Sequence, residues 1–143
     1  MRVLVVGYHA WDVILPCTEL PPVDRKQEYP GMITGGGGPG ATAAVALARL
    51  GVEVEFLGVF GDDAPSQMHR SELVTEGVMV TRCPLEQGGS SPLAVSLVDP
   101  VTGSRRICWT RGSLRHLEPG DIEASWVTQF DLLLTDRDRK SVV

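Results

Sequence analysis

The chain has 143 residues, enough for one ordinary domain and too few for a multidomain enzyme. Its composition, 43% hydrophobic and 22% charged with a mean hydropathy of +0.04, excludes the signature of disorder. Thirteen Lys and Arg against eighteen Asp and Glu leave a net charge of -5, the wrong sign for affinity built on nucleic-acid phosphates, and no stretch has the about eighteen apolar residues of a membrane span.

Residues 2–6, RVLVV, form a continuous apolar run closed by Gly7, the pattern of a parallel strand buried on both faces. Four prolines between Pro16 and Pro30 exclude a long helix over 8–34 and predict a loop with short extended pieces. The glycine run 35–40 leads into ATAAVALARL and Gly51, which predicts a Gly-rich turn, a small-residue helix over 41–50 and a glycine stop. That helix is apolar nearly all round and is expected to be buried. A second strand is expected within 52–61. Asp63 is expected to cap a helix with Pro65 in its first turn and Gly77 at its end.

Residues 78–83 predict a third strand, and the runs 91–100 and 104–112 predict an antiparallel hairpin turning around Asp99, Pro100 and Gly103. A short helix entered through Pro119 and Gly120 and a buried strand over 130–135 complete the pattern. Strands alternating with helices indicate an α/β fold. A parallel strand at 130–135 requires a crossover helix, and the charged 136–143 lacks helical periodicity, so a fold cut short is expected.

The Gly-rich turn is the strongest chemical feature, because glycine lets a ligand approach the backbone and a helix start presents unpaired N–H groups. A tight strand-to-helix turn with no ligand explains the run equally well. Gly35, Gly37 and Gly40 have the G-x-G-x-x-G spacing of a dinucleotide fold, but that fingerprint needs a strong buried strand upstream, and the segment there is GMIT. Cys17, Cys83 and Cys108 are odd in number, far apart and without metal-site spacing, so reduced thiols are expected.

The whole string GGGGPGATAAVALARLG, followed one strand later by GVFGDD, resembles the ribokinase/PfkB carbohydrate kinase family. A first strand, the acidic Asp12, the QEYPGMIT segment, the glycine loop, the helix ending in A-R-L-G and Gly61-Asp62-Asp63 occur in the family's order, over residues 1–135. The resemblance implies a ribokinase-like three-layer α/β fold with a mainly parallel sheet, present as its N-terminal half. It also implies a small β lid from about 28–34 and 92–110, with 136–143 an irregular charged tail. The implied activity is ATP-dependent phosphorylation of a sugar hydroxyl, with ATP and Mg2+ the cofactors of the full-length family.

On the same pattern Asp12 accepts hydrogen bonds from sugar hydroxyls, Gly36 and Gly37 bring loop backbone to the ligand, and Thr42 stands where many members have Asn. No catalytic residue, cofactor site or metal ligand is assigned, because the family's catalytic aspartate segment and nucleotide site have no counterpart in this sequence, and the chain alone is expected not to complete the reaction. The form GGPGATAA is similar to the sulfofructose-kinase-like branch, and nucleosides are substrates elsewhere in the superfamily. The implied partners are a small sugar or polyol and a second copy through the lid, in a cytoplasmic setting and without nucleic acid or membrane. A non-catalytic sugar-binding or regulatory module is the alternative, and a dinucleotide-binding domain ranks last.

Of the remaining polar residues, Asp62 and Asp63 are read as a cap and a solvated turn rather than a catalytic base. His9, His69 and His116 are read as ordinary polar residues, His69 on a surface helix. Tyr8 and Trp11 flank Asp12 and suit either a stacked sugar ring or the core. Arg105 and Arg106 are adjacent on a strand and suit an anionic substituent less well than solvation.

Overall fold

Val3, Leu4 and Val5 are fully buried in the first strand, β1 (Arg2–Val6), as an apolar run covered on both faces requires. The computed structural model describes residues 1–136 of the chain. After β1 come β2 (Ala10–Pro16), β3 (Ile33–Gly37), helix α1 (Pro39–Arg49), β4 (Glu53–Leu57), β5 (Phe60–Gly61) and helix α2 (Ala64–Thr75). The short β6 (Leu85–Glu86), β7 (Leu93–Val98), β8 (Arg105–Thr110), a 3-10 turn (Pro119–Asp121), the one-turn α3 (Ala124–Val127) and β9 (Leu132–Thr135) follow.

Two sheets carry the architecture. The first is wholly parallel, with β1 between β4 and β9 and Val3 in register with Val54 and Leu132. Helix α1 packs on β1 and β4, and Val3, Val5, Val54 and Phe56 form a core with Ala41 and Ala44 of the helix and Phe60, Leu73, Val78 and Val80. Alanine at 41 and 44 removes the side-chain bulk that would hold the helix off the sheet. The second, outer sheet has the order β3-β2-β7-β8, antiparallel except for the parallel pair β2 and β7. A two-residue parallel pairing of β5 with β6 forms a third.

Both long helices end as their glycines predict. Gly51 and Gly77 have φ of 81° and 82°; Val52 and Val78 donate to the carbonyls of Leu47 and Leu73 at 3.1 and 2.9 Å, and Gly51 and Gly77 to those of Ala48 and Val74 at 2.9 and 3.0 Å, the paired bonds of a Schellman stop. Asp63 caps α2, its Oδ1 accepting from the Ser66 N–H at 3.1 Å.

Several local expectations change. The segment 8–34 contains a seven-residue strand, β2, at the centre of the outer sheet, and Ile33 and Thr34 are the only residues of 28–34 in a strand. Residues 78–83 make a single parallel bridge, Met79 to Glu55, instead of a strand. There the chain turns so that Thr81 Oγ1 and Arg82 Nη1 donate to the buried Glu55 carboxylate at 3.0 and 2.6 Å, and Pro84 has no N–H with which to continue a ladder. The helix expected after Pro119 divides into a 3-10 turn and one turn of α3. Of the tail expected over 136–143, all but Asp136 lies outside the described residues.

The Arg82 guanidinium also lies over the rings of Trp126 and Phe130, at 5.4 and 5.6 Å, and so ties the 124–130 segment to β4. Glu55 is 2% exposed, and removal of its cation leaves a buried, uncompensated charge. Arg82→Met is expected to lower the unfolding free energy by about 3 kcal/mol in urea titrations, and adding Glu55→Gln to recover most of the loss. A double variant no more stable than the single one would show that Arg82 acts through its ring contacts alone.

Candidate functional site

The strands of a parallel sheet all point one way, so the loops at their C-terminal ends gather along one edge. Gly7 to His9 leave β1 there, Gly58 and Val59 leave β4, and Asp136 follows β9. The Gly7 N–H donates to Leu57 O at 3.1 Å, and Asp136 Oδ2 accepts from the Tyr8 N–H at 2.7 Å, which draws the three ends together. Residues 111–117, returning from β8, roof the same edge. A cleft of about 380 Å3 results, lined by residues 6–9, Val59, Pro92, Arg111, residues 114–117, Thr135 and Asp136.

Beside this cleft the Tyr8–His9 loop runs directly into β2, which carries Asp12. The antiparallel register sets Asp12 opposite Gly35, Trp11 opposite Gly36 and Ala10 opposite Gly37. A Cβ at Gly37 would overlap the Asp12 carboxylate, so the bare glycine leaves that carboxylate room. Asp12 is half-buried and forms no hydrogen bond or ion pair among the described residues, and burial holds its pKa above the ordinary carboxylate value. Gly38, at φ 89°, turns the chain into α1, and the Ala41 N–H donates to Tyr8 O at 3.3 Å. Thr42 is exposed on the first turns of that helix, its N–H donating to Gly38 O at 2.9 Å.

The structure therefore brings Asp12 and Gly37 together and sets Thr42 on the adjoining helix, but it gives Gly36 a different neighbour. The Gly36 N–H is held by Glu72 Oε2 at 2.7 Å, and a Cβ there would overlap the His69 ring. Gly36 is thus a packing residue against α2, with its donor already occupied. None of Asp12, Gly36, Gly37 and Thr42 lines the cleft itself, which they adjoin through Tyr8 and His9. The dinucleotide alternative also loses its premise: the strand before Gly38 is β3, at the rim of the outer sheet and antiparallel to its neighbour, whereas the fingerprint needs a buried parallel strand.

His69 is 2% exposed rather than on a surface helix, and His9 is 3% exposed. The His9 ring stacks on Phe60 at 4.1 Å and meets His69 edge-on at 5.3 Å. His9 Nε2 lies 2.8 Å from Val59 O, and since a carbonyl only accepts, Nε2 carries the proton and Nδ1 is bare. Neither Nδ1 of the pair has a hydrogen-bond partner among the described residues. Trp11 is buried, as a core aromatic, and Tyr8 lines the cleft. Arg105 and Arg106 are exposed on β8 away from the cleft. Arg111 and Asp136 do line it, although no local pattern distinguishes them in the sequence.

Asp62 and Asp63 build the turn that supports this edge. Asp62 Oδ1 accepts from Gly88 N at 3.0 Å, and Asp63 accepts from the N–H and hydroxyl of Ser91, both at 2.6 Å. Burial alone would raise the Asp63 pKa, but the bonds from Ser91 and Ser66 outweigh it and hold the group below its ordinary value.

Comparison with known proteins identifies the family. Residues 1–141 match the model of the pfkB family carbohydrate kinases. The chain belongs to that family. It is 33% identical over 99 residues to the ATP-dependent ribose-1-phosphate kinase of Halopiger xanaduensis, covering 69% of this chain and 33% of that protein. It is 29% identical over 126 residues to the deoxyribokinase of Salmonella typhi, covering 86% and 40%. Among solved structures, the ribokinase of Thermotoga maritima superposes with a TM-score of 0.73 at 24% identity, over 92% of this chain and 43% of that one. The Arabidopsis thaliana ribokinase complexed with ribose and ATP gives a TM-score of 0.66 at 23% identity, over 78% and 36%. The fold is ribokinase-like, and this pfkB-family chain spans well under half the length of each of these relatives.

The histidine pair sets the pH response of this edge. Burial lowers the His9 pKa, against the Val59 bond and the Asp63 charge, and burial with the nearby His9 brings His69 down to about 4. A base whose folded value lies below its unfolded one takes up protons on unfolding, so its stabilisation is complete above about pH 6.5 and is lost as pH falls toward about 4. Asp12 acts with opposite sign above its ordinary 3.8 but is only half-buried, and the Asp63 contribution is lost below about 3.8. The urea midpoint is expected to fall between pH 7 and pH 5, and His69→Leu to flatten that fall. An equally steep decline in the variant would assign the effect elsewhere.

Proposed function

We propose that this pfkB-family chain carries the acceptor side of a carbohydrate kinase, binding a small sugar at Asp12 under the outer sheet. The observation that supports this best is the Asp12 carboxylate, half-buried, without a described partner and freed from overlap by Gly37. A carboxylate has several acceptor positions, and sugar hydroxyls are donors that suit one with no ion-pair partner among the described residues. Thr42, a first-turn hydroxyl on α1, is the second proposed contact, and Gly37 the point where loop backbone meets the ligand. Gly36 stays outside the contact set because Glu72 holds its N–H.

The names of the curated relatives, a ribose-1-phosphate kinase, deoxyribokinases and a ribokinase, support a pentose. The support for a sulfofructose-type acceptor is the GGPGATAA string alone. The described residues do not fit a nucleotide and metal centre: they gather no three metal-ligating side chains, and the glycine turn packs against Asp12 and His9. ATP and Mg2+ enter this proposal only as the cofactors of the full-length family, and no residue of this chain is assigned to them. A sugar-binding module without catalysis shares the same Asp12 chemistry and differs only in lacking phosphoryl transfer.

Titration of ribose into the chain, followed by calorimetry or by protein amide shifts, tests the reading. Asp12→Asn, which keeps the shape and halves the acceptor capacity, is expected to weaken binding about ten-fold or more. Ribose binding equally well to Asp12→Asn, or no binding by the native chain, would overturn the assignment.

A second copy through the outer sheet is a further part of the proposal. Its support is β8, exposed along its length with Ile107 and Trp109 outward. Sedimentation is expected to show a dimer that Trp109→Glu converts to monomer; a monomeric native chain would remove this element.

A further inference from the structure

Two imidazoles are shut between the outer sheet and the body of the fold. His69 lies on α2 and His9 in the loop that leads from β1 into β2, both buried, with their rings edge-on at 5.3 Å. The His69 ring fills the slot that Gly36 leaves, where any Cβ would overlap it, and the rings of Trp11 and Phe60 close round it at 6.2 Å each. The Nδ1 of each histidine has no hydrogen-bond partner among the described residues. A neutral imidazole in such a place forgoes one hydrogen bond. An imidazolium brings a charge and a second N–H donor, and burial penalises it far more.

The groups around the pair do not answer that charge. On α2 itself the Glu72 carboxylate accepts from the Gly36 N–H at 2.7 Å, and the Arg70 guanidinium, a like charge, lies over the Phe60 ring at 5.6 Å. Strand β3 presents only glycines here, and Asp12, next to Trp11 on β2, points to the opposite face of the outer sheet. Asp63 favours a proton on His9, but its oxygens are taken by Ser66 and Ser91, and burial prevails. On the cleft side of His9, Asp136 accepts from Tyr8 N and Arg111 meets the His116 ring, while the Tyr8 phenol is uncharged in acid.

The outer sheet is built to move as a unit. Its four strands are bonded to one another, and the core cluster of β1, β4, α1 and α2 contains none of their residues. Helix α2 packs on both β2 and β3, and His69 and Glu72 are its side chains against Gly36. We propose that His69 is an acid-released latch: neutral, it docks the outer sheet on α2; protonated, it leaves the Gly36 slot, the Glu72–Gly36 bond breaks, and the sheet carrying Asp12 swings from the body while the parallel core stays folded. The latch operates without a ligand and so stands apart from the sugar reading.

Amide hydrogen exchange, read residue by residue by NMR as protection factors at pH 7 and pH 5, tests it. The Gly36 N–H reports docking, and the Phe56 N–H, bonded to Met79 O at 2.8 Å in the core, reports global unfolding. His69 is held down to about 4, below its ordinary 6.5, so the open form takes up the proton and gains population as pH falls. Gly36 protection is expected to drop at least about ten-fold from pH 7 to pH 5. At both pH values it is expected to lie below that of Phe56 and to respond to about 1 M urea at most half as strongly, as a local opening does. His69→Leu is expected to abolish the drop, and His69→Gln serves the same end if the leucine variant does not fold. Glu72→Gln, which keeps an acceptor for Gly36, is expected to retain it. Gly36 protection equal at the two pH values, or matching Phe56 in size and urea response, would overturn the latch. So would a drop that survives the loss of His69 or disappears in Glu72→Gln.

Discussion

Everything near the candidate site depends on a stretch of backbone that has no room for side chains. Where β3 turns into α1, the outer sheet, the loop after β1 and helix α2 meet within contact distance. Gly37 faces the Asp12 carboxylate and Gly36 faces the His69 ring. Gly38 passes against the backbone of Tyr8 and His9, at a φ that L residues rarely adopt. The glycine run therefore sets how closely the two sheets approach, and with that the distance between Asp12 and the parallel strand ends. The first requirement on this turn is packing.

The same crowding explains the electrostatics. Bringing α2 against the glycine strand removes water from His69 and His9, and both imidazoles become poorer bases for that reason before any charge acts on them. Asp63, one turn away, escapes the penalty because Ser66 and Ser91 supply three hydrogen bonds to its anion. Asp12 has neither full solvent nor a described protein donor, so its anion is less well satisfied than that of Asp63. A group in that condition gains more from hydroxyl donors than an exposed carboxylate would.

Much of this was legible in local sequence. The apolar run at β1, the alanine-rich α1 with its glycine stop, the Asp63 cap and the β7–β8 hairpin follow from periodicity and turn residues, each determined within about a dozen neighbours. Elements decided by distant partners were not. Strand β2 forms despite its proline-rich surroundings because β7, some eighty residues on, supplies a parallel ladder from Trp11 to Pro16. The strand pattern at 78–83 gives way because the buried Glu55 draws Thr81 and Arg82 out of line. His69 looks amphipathic on its helix, and only the missing Cβ of Gly36 makes a cavity for its ring. Asp12 and Gly37 were legible as a pair through the family pattern, while the occupied N–H of Gly36 depends on Glu72, thirty-six residues away.

The arginines differ in what surrounds their charge. Arg105 and Arg106 stand on an exposed strand, where water matches each charge at little cost, and so their positions convey little about ligands. Arg115 lies at the cleft but is neutralised by Asp121, whose pKa it lowers to about 2, so the chain spends that pair on closing its own 3-10 turn. Arg111 is half-buried with only the His116 ring bonded to its guanidinium among the described residues, on a turn that Gly112 and Ser113 hold to Ser90. Arg111 lines the cleft with no carboxylate bonded to it among the described residues, so its position, unlike that of Arg115, is not explained by an internal ion pair.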